Sequence, residues 1–141
     1  MTVNPYLLAG GVLSALAALL HLGCIWFGAP WYRFFGAGEK MATLAEQGSL
    51  TPTLVTSGIA TVLGLWSLYA FAGAGLIGRP PLLRIALVAI TGVYLVRGLG
   101  GFYLMTQPME QGQAFWLWSS AICLTFGLVH LAGLSQQWSR I

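Results

Sequence analysis

The sequence predicts an all-α membrane protein: a four-transmembrane-helix bundle with a short amphipathic interfacial helix between the first and second spans. Three observations lead there. Of 141 residues, 57% are hydrophobic and only 6% are charged, whereas soluble domains carry about 25% charged residues to keep their surfaces in water. Four apolar segments each reach the ~20 residues that a helix needs to cross a hydrocarbon core. None shows the alternation of a membrane barrel strand, and within lipid a helix satisfies every backbone group by itself. The length allows one integral membrane domain over residues 1–141 and no second.

The first span covers residues 7–27, "LLAGGVLSALAALLHLGCIWF". No basic residue precedes it and it is long enough to span, so a cleaved signal peptide is not expected. Residues 28–52 then form a connection far longer than usual. Its aromatic cluster around Arg33, "APWYRFF", suits a bilayer interface. "GEKMATLAEQGS" reads as a short amphipathic helix, with Glu39 near its start and Gly48 near its end. The expectation is a cap on the membrane surface over one mouth of the bundle. The second span covers about 53–77 and the third about 82–105. "GRPP" between them forbids helix continuation and predicts an antiparallel hairpin. The fourth span covers about 114–134, after the polar link "TQPMEQGQ".

Arg79, Arg84 and Arg140 flank one side, Arg33 and Lys40 the other. The positive-inside rule places the first group, and with it both termini, in the cytoplasm. The expected location is a bacterial cytoplasmic (inner) membrane, with the cap outside. The basic residues never form a run, so no nucleic-acid partner is expected.

Helical spacing gathers small and polar residues into stripes: Gly10, Ser14, Ala17, Ala18, His21 and Cys24 on the first helix, and Thr53, Ser57, Ala60, Thr61, Gly64 and Ser67 on the second. Tyr94, Arg97 and Gly101 share a face of the third, and Ser119, Ser120, Cys123, Gly127, His130 and Gly133 one of the fourth. Small residues let membrane helices approach closely, so these stripes are the expected interior.

Arg97 stands eight residues before Met105, about 12 Å below its boundary by helix rise. An arginine at that depth costs a few kcal/mol unless it is paired or hydrated. It either snorkels to water or anchors an anionic ligand, for which its fork is suited. Glu39, Glu46 and Glu110 are its candidate partners. His21, about 9 Å below the same boundary, shares that stratum with Ser57, Tyr94, Ser119 and Ser120. Together they outline a polar pocket in the outer half of the bundle, which Trp31, Tyr32, Phe34 and Phe35 of the cap would close.

His130 lies toward the opposite surface, offset from His21 by about 16 Å along the helix axis. Two imidazoles that far apart cannot share a haem iron or a zinc ion, so neither a metal nor a cofactor is expected. Cys24 and Cys123 differ in depth by roughly 10 Å and are expected as free thiols. The chain has no Asp, and its three Glu lie outside the spans, which argues against a proton-coupled exporter.

The leading expectation is therefore a binder of a small amphipathic or anionic lipid-like ligand. Arg97 pairs with the anionic group, and His21, Tyr94 and the serines orient it. An alternative is an accessory or assembly subunit, with the stripes facing a partner membrane protein or a second copy. A further alternative is an enzyme acting on a lipid head group, with His21 as general base and Arg97 as electrostatic stabiliser. It lacks a nucleophile or metal and carries least weight. Expected partners are membrane lipid, a lipid-like small molecule, and a homo-oligomer or partner membrane protein.

Overall fold

The computed structural model describes residues 2–141; Met1, the first residue of the single predicted domain, lies outside the described residues. Six helices follow in order: α1 (Pro5–Phe27), α2 (Ala29–Phe34), α3 (Glu39–Glu46), α4 (Thr51–Ala74), α5 (Leu83–Leu104) and α6 (Gly112–Gln137). No strand occurs among the described residues. α1, α4, α5 and α6 are long and apolar enough to cross a membrane. The chain is on this ground an integral membrane protein.

Local chemistry sets the helix ends. α1 starts at Pro5, whose missing N–H costs nothing at the first helical position. Asn4 caps it, accepting from the Leu7 N–H at 2.9 Å, and also donates to Gln136 of α6 at 2.8 Å. Asn4→Ala should cost about 1 kcal/mol and lower the thermal midpoint in detergent. α4 stops at Ala74, earlier than hydropathy alone suggests. Gly75 adopts φ 85°, and Leu76 N–H returns to Phe71 C=O at 3.0 Å, a Schellman closure that only a left-handed residue permits cheaply. The connection 28–52 holds two short helices rather than one, because Pro30 sits in the first turn of α2 and favours helix there.

The four long helices have a small-residue interior and an oily exterior. Ser14 and Ser120 are wholly buried and Ser67 and Thr91 nearly so, while Leu19, Val96, Leu99 and Ile122 face outward. Two antiparallel pairs are the tightest, α1 with α4 and α5 with α6. In the first, Ser67 Oγ donates to Gly11 C=O at 2.8 Å. In the second, a Cβ on Gly98 would fall 2.7 Å from the Leu124 backbone nitrogen, so glycine sets the separation. α6 also runs beside α1, where a Cβ on Gly133 would meet the Leu7 nitrogen at 2.8 Å.

The hairpin partners α4 and α5 are antiparallel but pack less closely than either pair. Their seam carries Trp66, Tyr69 and Ile90, with Gly73 against Leu87 at its hairpin end, and a groove of about 270 Å³ opens along it. The stripe on α4 is also rotated from its expected position. Thr56, Ala60, Leu63, Ser67 and Ala70 face inward, while Thr61 is exposed and donates to its own helix at Ser57 C=O. Small residues occupy both flanks of this helix, so composition leaves the choice to packing.

Candidate functional site

Tyr94 of α5 joins all four long helices. Its hydroxyl shares a 2.8 Å hydrogen bond with Ser14 of α1. Its ring lies 5.1 Å from Trp66 of α4, and 5.4 and 5.2 Å from Phe126 and His130 of α6. His130 is fully buried. Its Nδ1–H donates to Phe126 C=O at 2.7 Å, which leaves Nε2 an acceptor without a partner. A Cβ on Gly10 would stand 2.7 Å from the imidazole, so α1 covers the ring closely. Tyr94 thus belongs with Ser14 and His130 and makes no recorded contact with His21.

One turn further along α5, Arg97 turns toward α6. Its Nη2 donates to Ser119 Oγ at 3.1 Å, and its guanidinium carbon lies 4.7 Å over the Trp116 ring. The side chain runs past Gly101, where an added Cβ would meet Nη1 at 2.6 Å and collide with Ser120 Oγ. Glycine at 101 therefore makes room for the guanidinium and the serine side by side. Three polar groups here are buried without a partner: Arg97 Nη1, Ser120 Oγ and Trp116 Nε1. Arginine and indole nitrogens can only donate, and the hydroxyl can do so. Arg97 Nη1 and Ser120 Oγ stand side by side at Gly101, so the arrangement leaves unspent donors for a group rich in acceptors.

The other expected site residues lie elsewhere. His21 is half-buried, and its one hydrogen bond runs from Nδ1–H to Ala17 C=O at 2.7 Å. The structure does not bring it to Arg97. Ser57 gives only its carbonyl, to Thr61. Tyr32 shares a 3.0 Å hydrogen bond with Thr56 Oγ1 and packs with Cys24, Ala29 and Ala42 in a small second core. Trp31 stacks on Phe27 at 4.5 Å and covers Gly23. Glu39 pairs with Arg33 at 2.7 Å and Glu46 with the same guanidinium at 2.6 Å, both being adjacent in the connection. Neither is available to Arg97, and no ion pair of Arg97 occurs among the described residues. Both cysteines are free.

The Arg33 clamp has a definite pH sense. Hydrogen bonds from Arg33 hold the Glu39 and Glu46 carboxyls below their usual range and raise the Arg33 guanidinium. A depressed carboxylate stabilises the fold above its ordinary pKa, and that contribution is lost as pH falls through the folded-state value. Hydrogen exchange over residues 39–46, corrected for intrinsic rates, should therefore quicken in acid. It should quicken also in high salt at neutral pH, because these side chains are exposed and screened.

Trp116 was not among the residues the sequence pointed to. It lies three and four residues before Ser119 and Ser120, the spacing that puts side chains on one helix face. The stripes of small and polar residues pass over an indole, whose N–H is its only polar group, so that spacing was not used. Comparison with protein-family profiles, curated protein sequences and solved structures gave no match.

Proposed function

We propose that the protein binds a small anionic, lipid-like amphiphile within its four-helix bundle, with the head group received at Arg97. The observation that carries this reading is that Arg97 Nη1, Ser120 Oγ and Trp116 Nε1 are all buried without a partner, the first two side by side at Gly101 and the third on the ring beneath the guanidinium. A buried donor left unpaired costs about 1–3 kcal/mol. Three together with an uncountered guanidinium are costly unless something acidic fills their needs. Ser119 and the Trp116 ring fix the guanidinium plane, so the fork is pre-organised for oxygen ligands.

The connection carrying α2 and α3 is the interfacial cap in this reading. Trp26 at 85% exposure and Phe34 at 83% suit the lipid head-group layer, where aromatics concentrate. The location is a bacterial cytoplasmic membrane with both termini inside. The support is the excess of Arg79, Arg84 and Arg140 over Arg33 and Lys40. His21, Ser57, Tyr94, Glu39, Trp31 and Tyr32 are not needed for the head group.

Native mass spectrometry of protein purified in mild detergent tests the reading. The expected result is a bound acidic amphiphile that is retained by the parent and lost from Arg97→Leu. A stoichiometric co-purifying protein, whose carboxylate would then answer Arg97, would favour the accessory-subunit alternative. Equal amphiphile retention by parent and variant would remove the site.

A further inference from the structure

The groove between α4 and α5 adds a second element to the site. It is lined by Leu65, Trp66 and Tyr69 of α4 and by Ala86, Ala89, Ile90 and Val93 of α5. Arg97, Val93, Ile90 and Ala86 recur at spacings of four, three and four, which places them in one stripe along α5. Arg97 therefore rises from the end of the groove, at the border between the lipid-facing seam and the α5–α6 contact. The Trp66–Tyr94 contact at 5.1 Å closes the groove from the interior side. Glycine lets the two helices close at the hairpin end, where a Cβ on Gly73 would meet Leu87 Cδ1 at 2.6 Å; the groove opens beyond it, along Trp66 and Tyr69.

Charge narrows the ligand. One guanidinium with no carboxylate partner among the described residues neutralises one negative charge. A phosphate monoester, carrying more than one at neutral pH, would leave excess charge in an apolar region, where it is costly. The head is also small, because Gly98 and Gly101 hold α5 close against Leu124 and Ser120. Length is set by the helix: the groove's α5 lining runs from Ala86 to Val93, about 10 Å by helix rise, and Gly101, beside the guanidinium, lies about 12 Å beyond, together close to the span of an extended long-chain fatty acid.

We infer that the ligand is a long-chain monocarboxylate, its carboxylate on the Arg97, Ser120 and Trp116 donors and its alkyl chain in the α4–α5 groove. This rests on the binding role proposed above and names the ligand class and its path. Saturable binding of hexadecanoate, hexadecyl phosphate and hexadecanol to the delipidated full chain in a neutral maltoside detergent tests it. Hexadecanoate should bind at least tenfold more tightly than either of the others. It should weaken at least tenfold in Arg97→Leu and in the groove-filling Ala89→Phe. Leu99→Phe, on an outward face of α5, should bind as the parent does. Preference for hexadecyl phosphate, with Arg97→Leu losing it, would overturn the carboxylate and leave the binding role standing. Unchanged hexadecanoate binding in Ala89→Phe would overturn the groove alone. Unchanged binding in Arg97→Leu would overturn the inference and the role together.

Discussion

Gly98→Ala should destabilise the protein by about 1–3 kcal/mol, whereas Gly100→Ala, two residues away, should stabilise it by up to about 1 kcal/mol. Removing glycine from a helix is intrinsically favourable, since glycine loses the most backbone freedom on ordering. Space decides the sign. A Cβ at 98 would lie 2.7 and 2.8 Å from the nitrogen and α-carbon of Leu124, while one at 100 meets nothing within 4 Å. Backbone atoms in a helix cannot swing aside as a side chain can. Relief at 98 requires α5 and α6 to separate, and their packing is a main source of cohesion where lipid offers no hydrophobic drive. Thermal unfolding in detergent, followed by a maleimide dye that reports exposure of Cys24 and Cys123, measures both variants. Equal shifts would mean that the close approach at Gly98 does not govern the α5–α6 contact.

Arg97→Leu should lose ligand binding and gain stability. The guanidinium hydrogen bonds to Ser119 and stacks on Trp116, yet Nη1 remains buried and unpartnered. A half-satisfied polar network in an apolar surrounding is weaker than a packed apolar one. Replacing a buried ion pair by hydrophobes often stabilises by about 1–4 kcal/mol, and this guanidinium has no counter-charge to lose. Ligand-free Arg97→Leu should thus unfold at a higher temperature than the ligand-free parent, and added hexadecanoate should narrow the gap by raising only the parent. Arg97→Lys should keep the charge but lose the fork and the flat stacking surface, and so fall between the two in binding. A lower midpoint for ligand-free Arg97→Leu would mean that the arginine is a structural post whose unpaired nitrogen carries no cost.

His130 repeats the pattern of a buried polar group with one satisfied face. Its Nδ1–H is spent on Phe126 C=O and its Nε2 is bare. Tyr94 and Gly10 crowd it, which reads as packing between α1, α5 and α6. Both histidines donate back to the carbonyl four residues earlier, so each satisfies one nitrogen within its own helix.

How much of this was legible beforehand differs by level. The four spans followed from hydropathy and length, because water and lipid sort side chains whatever their neighbours. The first span was placed from residue 7, two residues late, although Asn4 and Pro5 carry the cap and first-turn signals of α1. The end of α4 was missed because Gly75 stops the helix inside an apolar run. That Arg97 lies level with Ser119 and Ser120 was legible from helix rise. The pairing of Arg97 with His21 was expected from depth alone. Depth fixes one coordinate and leaves rotation about each helix axis open.

The sequence by itself determined that this chain has four segments long and apolar enough to cross a membrane and that an arginine within one of them must find partners, since solvation energy depends on composition and length. Only the tertiary structure decided which helices touch. Glycines at 98, 101, 127 and 133 let α6 approach α5 and α1, while Trp66 and Tyr69 hold α4 off α5 and leave the groove. Contact between helices depends on which few atoms meet at van der Waals range, and no periodicity in a single chain specifies that.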